Sequence, residues 1–364
     1  MARLSELRQQ VGQLLIMGFD GATADARLRP LLFGIQPGGV ILFARNLAEP
    51  RQIFELLRGA QQVVEQPLFT CIDMEGGAVD RLRNIMAPAP AAADVFATRN
   101  RRLYREHGRL IGEEVRALGF NVDFAPVLDL AFEASRVVMT TRTVSAEPDE
   151  TAEYAHEFLR GLREARVLGC GKHFPGLGEA RLDTHKELPP VRKSLALMRA
   201  QDLAPYRELR REMPFVMVAH AAYPEVTGDR APASLSAKWM QGILREQIGY
   251  KGLIISDDLE MGGVLAAGPI EDVAVGTLRA GADIFLVCQS EAQVWRAYEA
   301  VLREAERDRR FAKLVARAAQ KVLKFKRRSR ELRAVKAPPT DRQIASLRIA
   351  MDKFARRVAR EARA

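Results

Sequence analysis

Residues 252–261, GLIISDDLEM, place Leu253, Ile254 and Ile255 directly before a serine and two aspartates, Asp257 and Asp258. So short an apolar run, with glycine before it and charge behind it, reads as a strand buried on both faces whose far end opens onto a polar space. The same pattern recurs at Leu14–Met17, Gly39–Phe43, Leu68–Ile72, Val122–Phe124, Val167–Gly169, Phe215–Ala219 and Ile284–Val287. Between these runs lie amphipathic segments with helical spacing, among them Pro50–Val64, Arg101–Leu118, Thr151–Ala165 and Ser194–Arg211. Alternating strands and helices predict a parallel sheet. Eight such units in roughly 290 residues predict an α/β chain folded as a (β/α)8 TIM barrel. A doubly wound sheet would show fewer strands and an early glycine-rich phosphate turn.

The chain has 364 residues, 48% hydrophobic and 28% charged, proportions that exclude wholesale disorder and a collagen-like repeat. Its net charge of +10 is unevenly spread. Residues 301–364 hold 21 Lys/Arg against 7 Asp/Glu, whereas residues 1–300 hold 35 against 39. No Pro, Gly or Ser-rich hinge divides the acidic body, so residues 1–300 are expected to form one catalytic barrel domain and 301–364 a basic helical C-terminal extension. The stretch Ala337–Thr340, APPT, breaks that extension before a last basic helix, Asp341–Ala362. Its run KVLKFKRRSR, 321–330, suits nucleic acid or an anionic membrane surface. Val322, Leu323 and Phe325, followed by Ile344, Leu347, Ile349, Met351 and Phe354, favour helices docked by one face on the barrel or on a second subunit. No nucleic-acid partner and no membrane insertion are therefore expected, and the oligomeric state is left open. Three distant cysteines, Cys71, Cys170 and Cys288, offer neither a disulfide framework nor a metal motif. With no signal-like N-terminus and no long apolar run, a cytoplasmic location is expected.

In a parallel barrel, chemistry gathers where strands end. The polar residues there are Asp73 and Glu75, Asp123 and Asp129, Lys172 and His173, His220, and Asp257 and Asp258. The densest stretch is 171–189, GKHFPGLGEARLDTHKELP, a long glycine-interrupted loop. In it Asp183 and His185 are two apart, a spacing at which a carboxylate holds one imidazole nitrogen while the other faces a substrate. Asp257 suits a nucleophile or a metal ligand, and adjacent aspartates do not decide between them. Lys172 admits a Schiff-base reading. His107 and His156, within helical segments, read as solvated or capping residues, His220 has a modest claim on substrate, and the cysteines read as strand packing.

KHFPGLG followed by DTH, then ISDDLEM, together with DMEGG and Arg81, resembles glycoside hydrolase family 3, and more narrowly its bacterial β-N-acetylglucosaminidases of cell-wall recycling. The likeness runs collinearly from GFDG at Gly18 through GGVILFARN, FNVDFAPVLDL and HAAYPEVTGDRAPASLS to about Cys288. It implies a single TIM-barrel enzyme that removes terminal β-linked N-acetylglucosamine with retention, from muropeptide or oligosaccharide fragments, without metal or organic cofactor. It implies Asp257 as nucleophile, His185 as general acid and then base, and Asp183 as the group orienting His185. Asp73, Arg81, Arg142, Lys172 and His173 would hold the sugar. A histidine acid departs from the usual pair of carboxyl groups about 5–5.5 Å apart. The sequence departs from the family pattern at Leu177, where a second histidine is usual, at RTVS (142–145) for RSFG, and at DMEGG for DQEGG. These bear on substrate detail and loop conformation more than on reaction class. Within the fold, another sugar preference (β-glucosidase) or transfer to phosphate is the alternative, and a catalytically silent sugar-binding protein is the alternative of a different class.

Overall fold

The computed structural model describes residues 5–184, 186–333 and 337–363. The eight apolar runs become eight parallel strands: β1 Leu15–Met17, β2 Gly39–Ile41, β3 Phe69–Ile72, β4 Val122–Asp123, β5 Leu168–Phe174, β6 Phe215–Val218, β7 Leu253–Asp258 and β8 Ile284–Val287. Each pairs with its sequence neighbours, and β8 closes on β1 with Leu15 opposite Phe285, which gives the (β/α)8 barrel. Strands that are apolar at successive positions are explained by this closure, because one face packs the barrel interior and the other packs the surrounding helices. β1, β2, β3, β6 and β8 are buried at every residue.

The helix expected over Ser194–Arg211 is split into Leu195–Ala200 and Ala204–Glu208. Pro205 explains the break, since its ring removes an N–H and would crowd the carbonyl one turn earlier. After β3 the chain adds a two-stranded antiparallel ribbon, Met74–Gly76 with Val79–Asp80, which the sequence did not announce. Position 300 lies inside the continuous helix Glu291–Arg307, and a further helix, Arg309–Arg328, seals the N-terminal end of the barrel. There Phe325 meets Phe69 and Phe215, and the buried Lys326 amine donates to Gln13 Oε1 and the Gly38 carbonyl, each at 2.8 Å. The C-terminal helix Asp341–Glu361 buries Ile344, Met351, Phe354 and Val358 against the barrel's outer helices. Each such side chain contributes about 1.5–3 kcal/mol on burial. Ile349 stays exposed. No helix among the described residues is long and apolar enough to cross a membrane.

Candidate functional site

The C-terminal strand ends surround a cavity of about 830 Å³ lined by Asp73, Glu75, Arg81, Arg142, Lys172, His173, Asp183 and Asp257. Seven of the eight site residues expected from the sequence therefore share one space, and Glu75 joins them. His185 lies outside the described residues.

Lys172 and His173 sit where the β5–β6 ladder shifts register between Gly171 and Phe174. A bulge of this kind re-aims side chains, here toward the mouth of the barrel. Lys172 Nζ reaches Asp73 Oδ1 at 2.9 Å and Glu75 Oε1 at 2.7 Å. Arg142 grips the same Glu75 with two parallel bonds, Nε to Oε2 at 2.8 Å and Nη2 to Oε1 at 2.9 Å. Burial alone would raise the Glu75 carboxyl, but Arg142 and Lys172 outweigh it and hold it well below the usual carboxylate range. Burial likewise opposes the charge on Lys172, and the two carboxylates reverse the balance and raise its pKa above the ordinary lysine value. A Schiff-base lysine must be neutral to attack, so this clamp works against that reading. Arg81 Nη2 lies 3.7 Å from Asp73 Oδ2, with the guanidinium over the Phe43 ring at 5.5 Å.

His173 is held by Asp129, whose Oδ2 accepts from Nδ1 at 2.7 Å and whose Oδ1 accepts the Leu177 N–H at 2.7 Å. One fully buried carboxylate thus fixes both the imidazole and the start of the 171–189 loop. Farther along, the Asp183 carbonyl accepts the N–H groups of Lys186 and Glu187, each at 3.0 Å, so the chain turns at Asp183. Gly263 N donates to the Thr184 carbonyl at 3.0 Å and ties this turn to the segment after β7. A Cβ at Gly263 would lie within 3.0 Å of the carbonyls of Thr184, Glu187 and His220, so only glycine permits the approach.

β7 also shifts register, against β8 between Ile284 and Leu286, opposite Ile255 and Asp258. Asp257 Oδ1 accepts the Asp258 N–H at 2.8 Å. Burial pushes the Asp257 carboxyl up, but His173, His220, that N–H and Lys172 together hold it below its ordinary value, so it is ionised. Asp258 behaves oppositely. Burial raises it to about 7, and its Oδ1 accepts the N–H groups of Glu260 and Cys288, each at 3.1 Å, which binds β7 to β8.

The other residues collected at strand ends are structural. Asp123 is fully buried, burial raises its carboxyl well above the ordinary value, and its Oδ1 accepts the Met74 N–H at 2.9 Å to anchor the ribbon. His220 Nε2 donates to the Asp258 carbonyl at 2.9 Å, so its Nδ1 is left to accept from Ser234 at 2.7 Å; both nitrogens are thereby used within the protein. His156 pairs with Glu212. The expectation for His107 is corrected: it is fully buried, not solvated, because Phe158 and Phe354 pack on its ring and Nδ1 meets the Tyr154 hydroxyl at 2.8 Å.

A closed parallel barrel whose mouth holds an ionised carboxylate opposite a clamp of paired cations and carboxylates is a polar-ligand enzyme of the TIM-barrel class. Residues 6–325 match the glycosyl hydrolase family 3 N terminal domain. The chain belongs to that family and is a glycoside hydrolase. It is 36% identical over 296 residues to a β-hexosaminidase of Idiomarina loihiensis, covering 80% of this chain and 88% of the relative. It is 37% identical over 290 residues to a β-hexosaminidase of Pseudomonas aeruginosa, covering 79% and 86%. Among solved structures, a family 3 β-N-acetylglucosaminidase from Paenibacillus superposes with a TM-score of 0.90 at 32% identity, covering 97% of this chain and 68% of the other. A β-N-acetylhexosaminidase from Beutenbergia cavernae gives 0.81 at 29% identity, covering 90% and 99%.

Proposed function

We propose that this glycoside hydrolase is a β-hexosaminidase, and specifically a retaining exo-enzyme that removes terminal β-linked N-acetylglucosamine through a covalent glycosyl-aspartate. The observation that carries the reading is Asp257: an ionised carboxylate in the barrel mouth, with one oxygen held by the Asp258 N–H, facing the same cavity as the Lys172, Glu75 and Arg142 clamp. Asp257 attacks the anomeric carbon as the bond to the leaving oxygen breaks, and that oxygen takes a proton from His185. Asp183, two residues earlier in the chain, orients His185. A water then gives its proton to His185 and its oxygen to the anomeric carbon, releasing the sugar with its configuration retained and Asp257 restored.

Asp73, Arg81, Arg142, Lys172 and His173 are the groups that would hold the sugar. Their mutual bonds fix them before substrate arrives, and a ring so placed meets Asp257 in an effectively unimolecular step. Fragments of peptidoglycan are the proposed source of the sugar, as the sequence resemblance implies. A cytoplasmic place for the enzyme is part of the same reading, supported by three unpaired buried thiols.

The test compares hydrolysis of a chromogenic β-N-acetylglucosaminide with that of the β-glucoside, for wild type, Asp257→Ala and His185→Ala. A fluorinated N-acetylglucosaminide that forms the adduct faster than it loses it should add one sugar mass to the peptide carrying Asp257. Turnover of neither sugar by folded wild type, or an adduct on another residue, refutes the assignment.

A further inference from the structure

The C-terminal helix Asp341–Glu361 lies beyond the family match, which ends at residue 325, yet it contacts the segment that carries two residues of the site. Arg348 donates from both Nε and Nη2 to the Ile85 carbonyl, with Nε at 3.0 Å. Ile85 belongs to the turn 80–89, which is folded on itself because the Asp80 carboxylate accepts the N–H groups of Leu82 at 2.9 Å and Ala89 at 3.0 Å. Arg81 rides on that turn.

A second line of contact runs through Phe354. Its ring stacks on His107 with centroids 5.7 Å apart and planes 20° from parallel. His107 in turn lies under Gly76, the residue after Glu75: a Cβ at Gly76, whose φ is +83°, would stand 2.2 Å from the Pro90 carbonyl oxygen and 3.1 Å from His107 Nε2. The helix therefore bears on the ribbon from below at Gly76 and on the turn from outside at Ile85.

We infer that the C-terminal helix is a positioning element of the sugar site, with Arg348 and Phe354 fixing the segment 74–90 and so the placement of Glu75 and Arg81. This rests on the reading that Glu75 and Arg81 lie where the sugar binds. Neither residue of the helix touches substrate. Loosening the segment spreads Arg81 and Glu75 over several arrangements, and binding must then select one of them, so the loss falls on KM before kcat.

The experiment measures KM and kcat with the chromogenic N-acetylglucosaminide for full-length Arg348→Gln, Arg348→Lys, Phe354→Leu and Arg81→Ala, with folding followed by circular dichroism. Glutamine is too short to reach Ile85 and keeps the helix, whereas lysine retains one donor. The expected result is a three- to tenfold rise in KM for Arg348→Gln with kcat within twofold, partial recovery in Arg348→Lys, and a smaller rise for Phe354→Leu. In an Arg81→Ala background, Arg348→Gln should add less than twofold. Wild-type KM in folded Arg348→Gln, while Arg81→Ala raises KM, overturns the inference and leaves the site assignment standing. Wild-type KM in Arg81→Ala removes the site assignment and the inference with it. Should Arg348→Gln fail to fold, Phe354→Leu and Arg348→Lys decide by the same criterion.

Discussion

Two of the buried lysines, Lys172 and Lys326, each 3% exposed, lie at opposite ends of the barrel, and their pKa values are moved in opposite directions. Lys172 at the mouth meets the carboxylates of Asp73 and Glu75, which keep its proton on. Among the described residues, Lys326 at the closed end meets a side-chain amide, a backbone carbonyl and the Phe69 ring but no carboxylate, and burial lowers it to about 7. Burial is the same in both places, so it does not set the charge; the neighbours do. The mouth is a polar network poised for a ligand, and the closed end is a packing plug that tolerates one amine.

The sharpest break in that contrast comes from the mouth. Asp257→Ala should lower kcat by at least about 10³-fold while the unfolding midpoint stays near wild type, measured by hydrolysis and thermal melting, because it removes the attacking group and little packing. Lys172→Met should damage both activity and fold. It leaves Asp73 and Glu75 without their shared cation, and urea unfolding should show a loss of about 3 kcal/mol, at the low end for a broken buried pair because Arg142 remains on Glu75.

At the closed end, Lys326→Met should leave KM and kcat unchanged while costing about 1–3 kcal/mol for the stranded acceptors of Gln13 and Gly38. Its pH dependence is the more telling signal. The folded-state pKa of Lys326 lies below the unfolded value, so between about 7 and 10.5 the unfolded chain binds the extra proton. Wild type should gain stability with rising pH relative to Lys326→Met, by about 1 kcal/mol per unit between pH 7 and 9, and the difference should level off below pH 7. A flat difference across that window would mean that the Lys326 amine is charged in the fold. The smallest effect is expected from Arg296→Ala on the outer surface, whose pairing with Glu271 is half in solvent: under about 1 kcal/mol and no change in hydrolysis.

The mouth was more legible in the sequence than the clamp that shapes it. All eight strands were visible, because strands buried on both faces write themselves as short apolar runs, and Asp257 followed from the polar residues just behind one of them. Glu75 was noted but given no role, since its partners Arg142 and Lys172 stand 67 and 97 positions away and only closure of the barrel joins them. Asp129 with His173, 44 apart, is the same case. His107 was misread although Leu103, Tyr104, Leu110 and Ile111 place it on the apolar face of its helix, and of the two rings that cover it Phe354 comes from a helix some 250 residues later. The split at Pro205 was readable from one residue, and helical periodicity on either side concealed it.

The clamp at the mouth is also a statement about ionic strength. Lys172, Arg142 and Arg81 already face Asp73 and Glu75 inside the protein, so an uncharged sugar enters without displacing or recruiting a counter-ion. Binding built this way is carried by short directional bonds among groups partly withdrawn from solvent, where dissolved salt screens little. An enzyme holding its sugar by this network should take up an uncharged glycoside equally well in dilute buffer and in strong brine.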